Sequence, residues 1–145
     1  MTAGRGIRHH EANASRTHPA HVFQVWLRPA QADLEPSHEQ KRFSAAQRRG
    51  TLCVVGSPDG RRGSLLIHQD TLVFSALLDP GTHLARGLAP GRSAWLHIVA
   101  GEATLDEVVL SAGDGAGLRS ELTVSLTARQ QETEILLLDL GPWSP

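Results

Sequence analysis

The chain has 145 residues, 40% of them hydrophobic, and a formal net charge of -1. That length suits one domain with an added arm, and so small a charge offers no field to draw the protein to nucleic acid or an anionic membrane. Cys53 is the single cysteine, which excludes an intramolecular disulfide and fits a reducing compartment. It lies in the apolar run Leu52-Cys53-Val54-Val55 and reads as an inert, buried thiol. No stretch is apolar and long enough to span a bilayer or to form a signal-peptide core, so a cytoplasmic location is expected. The pairs Arg48-Arg49 and Arg61-Arg62 lack interleaved aromatics and read as solvated loops, not phosphate sites.

Residues 1–42 hold five of the eight histidines, namely His9, His10, His18, His21 and His38, with little periodicity. One strand is expected there, from His21 to Leu27, ending where Pro29 removes a ladder donor. Residues 1–20 are expected to be loosely attached. From about Phe43 the pattern changes to short β segments. Thr51–Val55 is apolar and β-branched, and Ser57-Pro58-Asp59-Gly60 is a turn with Pro and Gly in favoured places. Strands follow at Ser64–His68 and Leu72–Leu78, then a turn at Asp79-Pro80-Gly81. Ala94–Val99, Glu102–Leu105 and Val108–Leu110 form a meander, and Ala112-Gly113-Asp114-Gly115 closes another tight turn. Leu122–Leu126 and Glu134–Leu140 are the last strands. Turns at roughly eight- to twelve-residue spacing mark a sandwich or small barrel. The fold class predicted is all-β, and no helix of three turns is evident.

Several short motifs, in order, carry a resemblance to a known family. Gly6, His9 and Asn13 fit the G-x2-H-x3-N element that closes a cupin metal site, although no H-x-H element exists anywhere in the chain. The string Met1-Thr2-Ala3-Gly4-Arg5-Gly6-Ile7, followed by His9 and Glu11 as H-x-E, resembles the bacterial pirin family. Phe23-Gln24-Val25-Trp26-Leu27-Arg28-Pro29 is similar to its Q-x-W strand. Leu34-Glu35-Pro36-Ser37-His38-Glu39-Gln40-Lys41 is similar to its L-x-P-S-Y-x-Q-K connector, with His38 in place of Tyr. Ile67-His68-Gln69-Asp70, Pro90-Gly91-Arg92 and Ala112-Gly113-Asp114-Gly115 continue in family order. The resemblance implies two-cupin proteins that include quercetin 2,3-dioxygenases. In that family the H-x-E pair falls deep inside the first cupin, so Met1 would be an internal residue and the chain a truncated form.

The resemblance then implies an antiparallel double-stranded β-helix, the cupin or jelly-roll barrel, with an extended N-terminal arm. Residues 1–42 would be a remnant of the first cupin plus a connector, and residues 43–141 the C-terminal cupin. Laying G-x5-H-x-H-x4-E-x6-G onto Gly81 and Gly101 places the three ligand positions on Gly87, Ala89 and Ala94. The second element places its histidine on Val124. None of these side chains offers a lone pair to a metal, so no cofactor is expected in the C-terminal barrel.

His9 and Glu11 are the metal ligands that the resemblance marks, for a divalent ion of the iron or nickel type. Their i, i+2 spacing would put both on one face of a strand. Two ligands without a preformed cage bind weakly, and a partly disordered arm holding no metal is the favoured reading. His68, His83 and His97 have no partner at ligand spacing and read as rim or hydrogen-bonded residues. Trp26 and Trp95 read as barrel-core or interdomain packing. Two functions stay open: a non-catalytic binding or interaction module, or a metal-dependent quercetin 2,3-dioxygenase-type oxygenase completed by an upstream cupin. The substrate or small-molecule ligand is unassigned. A homodimer through the N-terminal arm is expected, from a strand edge and apolar surface left uncovered.

Overall fold

Short β-branched and leucine-rich segments, broken by turn residues, dictate strands that each bury one face and must find a facing layer to do so. The computed structural model describes residues 1–142, and the layers it shows are two. After a one-turn helix α1 (Ala45–Arg48) come β1 (Cys53–Ser57), β2 (Leu65–Leu66), β3 (Thr71–Leu78), β4 (His83–Gly87) and β5 (Ser93–Ala100). Then follow β6 (Glu102–Leu105), β7 (Val108–Ser111), β8 (Gly115–Arg119), β9 (Thr123–Ala128) and β10 (Thr133–Leu140). Six strands form one sheet in the order β2-β1-β3-β10-β5-β8, and four form the other in the order β4-β9-β6-β7. All pairings are antiparallel except β1 with β2. The chain thus adopts the all-β cupin-type jelly roll.

The core lies between the sheets. β10 sits at the centre of the larger one, with Ile135 opposite Ala76 and Ile98, and Leu137 opposite Phe74 and Leu96. These residues meet Val124, Leu126 and Ala103 from the smaller sheet in one buried cluster. Each fully buried Leu or Ile contributes about 1.5–3 kcal/mol over its exposed state, so this register, more than any loop, holds the barrel. Two glycines are required by close approach. Gly101, at φ +75°, turns β5 into β6 with Thr133 where a side chain would stand. Gly115 lies under the Trp95 indole, which a Cβ there would strike.

Several expectations need correction. His21–Leu27 forms no strand. Among the described residues no neighbour offers it a ladder, and a strand without one is not stable in water. Ser64–His68 shortens to Leu65–Leu66. β4 and β8 were not anticipated, because His83-Leu84-Ala85-Arg86-Gly87 and Gly115-Ala116-Gly117 carry few β-favouring side chains and gain their ladders from neighbours. The start of the arm is pinned rather than loose: Thr2 and Ser37 exchange backbone hydrogen bonds of 2.8 and 3.0 Å, and Arg5 pairs with Glu35. Ala30 N–H also donates to the His68 carbonyl at 2.9 Å. Trp26 is not packed in a core; it is 86% exposed. Trp95 lies on the outer face of the larger sheet, partly exposed. No helix is long and apolar enough to cross a membrane, among the described residues.

Candidate functional site

His9 and Glu11 lie in an extended, irregular part of the arm. Their side chains meet, with His9 Nε2 3.4 Å from Glu11 Oε1. Two ligands of one tetrahedral ion with bonds of about 2.1 Å lie about 3.4 Å apart, so the pair could share an ion as it stands. Both side chains are well exposed. No group of three or more His, Cys, Asp or Glu that could hold a metal occurs among the described residues. Half of the four-ligand set that the resemblance implies is present, and no other His, Cys, Asp or Glu among the described residues joins it.

The barrel interior does not fit a cupin metal. Ala94 and Val124 are buried and face inward, but they carry no donor atom. Gly87 and Ala89 are exposed, so the spacing that placed ligands there is out of phase with the strand. The inward residue is Arg86, which stands opposite Val124 across the β4–β9 ladder.

Sequence reasoning missed the residues that occupy this end of the barrel. Asp139 closes the inward series Ile135, Leu137, Asp139 on β10, and its side chain is only 2% exposed. A charge at the inward phase of an apolar strand was the signal that could have found it, since buried carboxylates need partners. It has two. Arg92, in the turn leading into β5, donates from Nε to Asp139 Oδ1 at 2.5 Å. Arg86 donates from Nη2 and Nε to Oδ2 at 2.8 and 3.3 Å. Arg92 also grips Asp70, at the head of β3, with Nη1 at 2.9 and 3.0 Å from its two carboxylate oxygens. Burial pulls the Arg92 pKa down, but the hydrogen bonds to Asp139 and Asp70 outweigh it and the net shift is upward. Arg86 stacks over Phe74, its guanidinium carbon 4.9 Å from the ring centre. One carboxylate and two guanidinium groups therefore tie β4 of the smaller sheet to β10 of the larger.

An open cleft of about 320 Å³ lies over this cluster, lined also by Arg61, Pro58, Leu72 and Ala89. Arg61 Nε is held by Asp59 at 2.8 and 2.9 Å, and this contact keeps the exposed Asp59 carboxyl well below the usual carboxylate range against a smaller opposing effect of burial. On the opposite face of the larger sheet, His97 lies beneath Phe23 of the arm, the ring centres 5.0 Å apart in an edge-to-face contact. His97 was expected at a rim or in a hydrogen bond. Its Nε2 is instead buried and has no partner among the described residues.

Comparison with known proteins agrees with this architecture. A family model of the quercetinase C-terminal cupin domain matches residues 54–140. Quercetin 2,3-dioxygenase of Escherichia coli (strain K12) is 37% identical over 142 residues, covering 98% of this chain and 60% of the relative. A pirin-like protein of Caulobacter vibrioides is 33% identical over 140 residues, covering 96% of this chain and 60% of the relative. The crystal structure of YhhW from Escherichia coli superimposes with a TM-score of 0.74 at 33% identity, over 81% of this chain and 48% of that one. A second structure of that bacterial pirin, in complex with nickel(II), gives a TM-score of 0.72 at 33% identity, over 79% and 48% of the two chains. The chain spans about 60% of the length of the curated relatives it matches. Its motifs, its barrel and these matches agree: the chain belongs to the pirin family and carries that family's quercetinase C-terminal cupin domain.

Proposed function

We propose that this chain acts as a non-catalytic cupin, a binding and interaction module, and that metal chemistry arises only where further ligands join His9 and Glu11. The observation that carries this reading is the placement of donors. The two metal-capable side chains are paired but exposed on the arm, while the buried carboxylate of the barrel is taken up by two guanidinium groups. An ion held by two exposed side chains loses much of its binding energy to ordering the arm. The compartment proposed is the cytoplasm, supported by the free Cys53 thiol.

The alternative is a metal-dependent oxygenase of the quercetin 2,3-dioxygenase type. It is favoured by the 3.4 Å approach of His9 to Glu11 and by the relatives' names. His9 and Glu11 would hold the ion, which would act as a Lewis acid on a bound oxygen ligand and requires an open coordination position. Metal analysis of the purified chain, with calorimetric titration of nickel(II) and dioxygen uptake in the presence of quercetin, separates the two. The non-catalytic reading expects substoichiometric metal, weak nickel binding that His9→Ala abolishes, and no quercetin-dependent uptake. One firmly held ion together with uptake would overturn it.

The interaction half of the proposal is a two-fold pair of these chains through their arms. Val22, Val25 and Trp26 on the arm and Trp95 on the sheet are exposed, and large exposed apolar side chains of this kind are what association surfaces are built from. Sedimentation at micromolar concentration is expected to show a dimer that Trp26→Ser weakens. A monomer at that concentration would end this part of the proposal.

A further inference from the structure

We propose that the mouth of the barrel, above Asp139, is a binding site for a small organic acid, whose carboxylate is received by Arg86 and Arg61. This inference stands on the barrel alone and does not depend on the fate of the His9–Glu11 pair. Arg92 is fully engaged. It spends Nε on Asp139, Nη1 on Asp70 and Nη2 on the carbonyls of Asp139 and Asp70. It is a strut. Arg86 is not: only its Nη2 and Nε edge is used, both toward the same oxygen of Asp139. Its Nη1 has no partner among the described residues. Asp139 on one edge and the Phe74 ring beneath fix the guanidinium plane. The remaining donors are thus held in place before any ligand arrives, which lowers the entropic cost of binding.

Arg61 lines the same cleft in the same condition. Asp59 holds its Nε, and both Nη groups are without a partner among the described residues. Two guanidinium groups with unused Nη donors line one cleft, and such groups suit the flat, two-oxygen shape of a carboxylate. The rest of the wall selects the class of acid. Leu72, Pro58 and Ala89 are apolar and line the same cleft, so a ligand with an apolar body gains contact that a bare inorganic anion does not. The cleft volume of about 320 Å³ lies at the lower end of small-molecule sites, which points to an acid of roughly benzoate size. The cavity's charges also set a limit. Arg61, Arg86 and Arg92 are balanced by Asp59, Asp70 and Asp139, so the site offers free guanidinium donors to one carboxylate and no surplus charge to hold a polyanion.

The test uses the full chain and amide and arginine Nε–H NMR spectra at constant ionic strength, with benzoate, inorganic phosphate and chloride as probes. Benzoate is expected to give saturable shifts at Gly87, Ala89 and the Arg86 side chain. A charge-assisted pair is worth enough that Arg86→Gln should weaken binding by roughly 10- to 100-fold, and Arg61→Gln by a smaller factor. Arg86→Gln leaves Asp139 its Arg92 partner, so the fold should survive. As a second check, Ala89→Glu places a competing carboxylate at an exposed position and should block benzoate while removing no member of the cluster. Non-saturating shifts, equal shifts with chloride, or benzoate binding unchanged in Arg86→Gln would overturn the proposal. Phosphate binding more tightly than benzoate would overturn the assignment of an organic acid.

Discussion

Replacing Asp139 with Ala removes the one carboxylate that both sheets share, and the structure sets the size of the effect. Asp139 is 2% exposed and Arg92 is 16% exposed at the side chain. Breaking a buried pair by deleting one partner costs about 3–5 kcal/mol, because the other charge is left behind in a poorly solvated place. Two features reduce that figure here. Arg92 keeps Asp70, at 2.9 Å, and Arg86 is 33% exposed, so water can reach it and its share of the loss is close to that of a surface pair. The expected cost is about 3 kcal/mol, or roughly 10 °C in melting temperature for a domain of this size. Urea unfolding followed by tryptophan fluorescence and by far-ultraviolet circular dichroism would measure it, with the slope against urea checked for constancy. Asp70→Ala is the control: Asp70 is 62% exposed and should cost about 1 kcal/mol or less. If Asp139→Ala costs no more than Asp70→Ala, the cluster is not the clamp described above.

Three further outcomes are expected. Thr133 is fully buried, and its hydroxyl serves the Glu102 and Gln130 carbonyls at 3.1 and 2.9 Å; Thr133→Val should therefore cost about 1–3 kcal/mol in the same urea assay, and a neutral result would show that the hydroxyl is dispensable. Gly115→Ala drives a methyl group into the Trp95 ring and should cost about 1–3 kcal/mol with a shift in tryptophan emission; an unchanged spectrum would show that the indole is not seated there. The Asp59–Arg61 contact, with Asp59 lowered from its ordinary value of 3.8, stabilises the turn above that pH and is lost as pH falls through the depressed folded value. Asp59→Asn should accordingly lose less melting temperature than the parent between about pH 5 and pH 2, and parallel curves would refute this.

The sequence by itself determined the class of fold and most of its strands. Apolar, β-branched segments such as Leu72–Leu78 and Glu134–Leu140 alternate or run apolar at strand length, and turns such as Ser57-Pro58-Asp59-Gly60 punctuate them through local backbone chemistry, so both are legible one residue at a time. The ordered motifs also marked the family and the His9–Glu11 pair. Tertiary structure alone decided the remainder. β4 and β8 exist because β9 and β5 offer ladders to backbones whose own side chains say little, whereas His21–Leu27 reads as a strand and forms none for want of a ladder. The phase of Gly87 followed from the β4–β9 register, which spacing between glycines cannot fix, since a one-residue slip exchanges the two faces of a strand. The Asp139 cluster was hidden for a related reason. Its members sit 22, 47 and 53 positions apart in the chain, and only the closure of the two sheets brings them to one mouth, where the burial of Asp139 forces it to find partners.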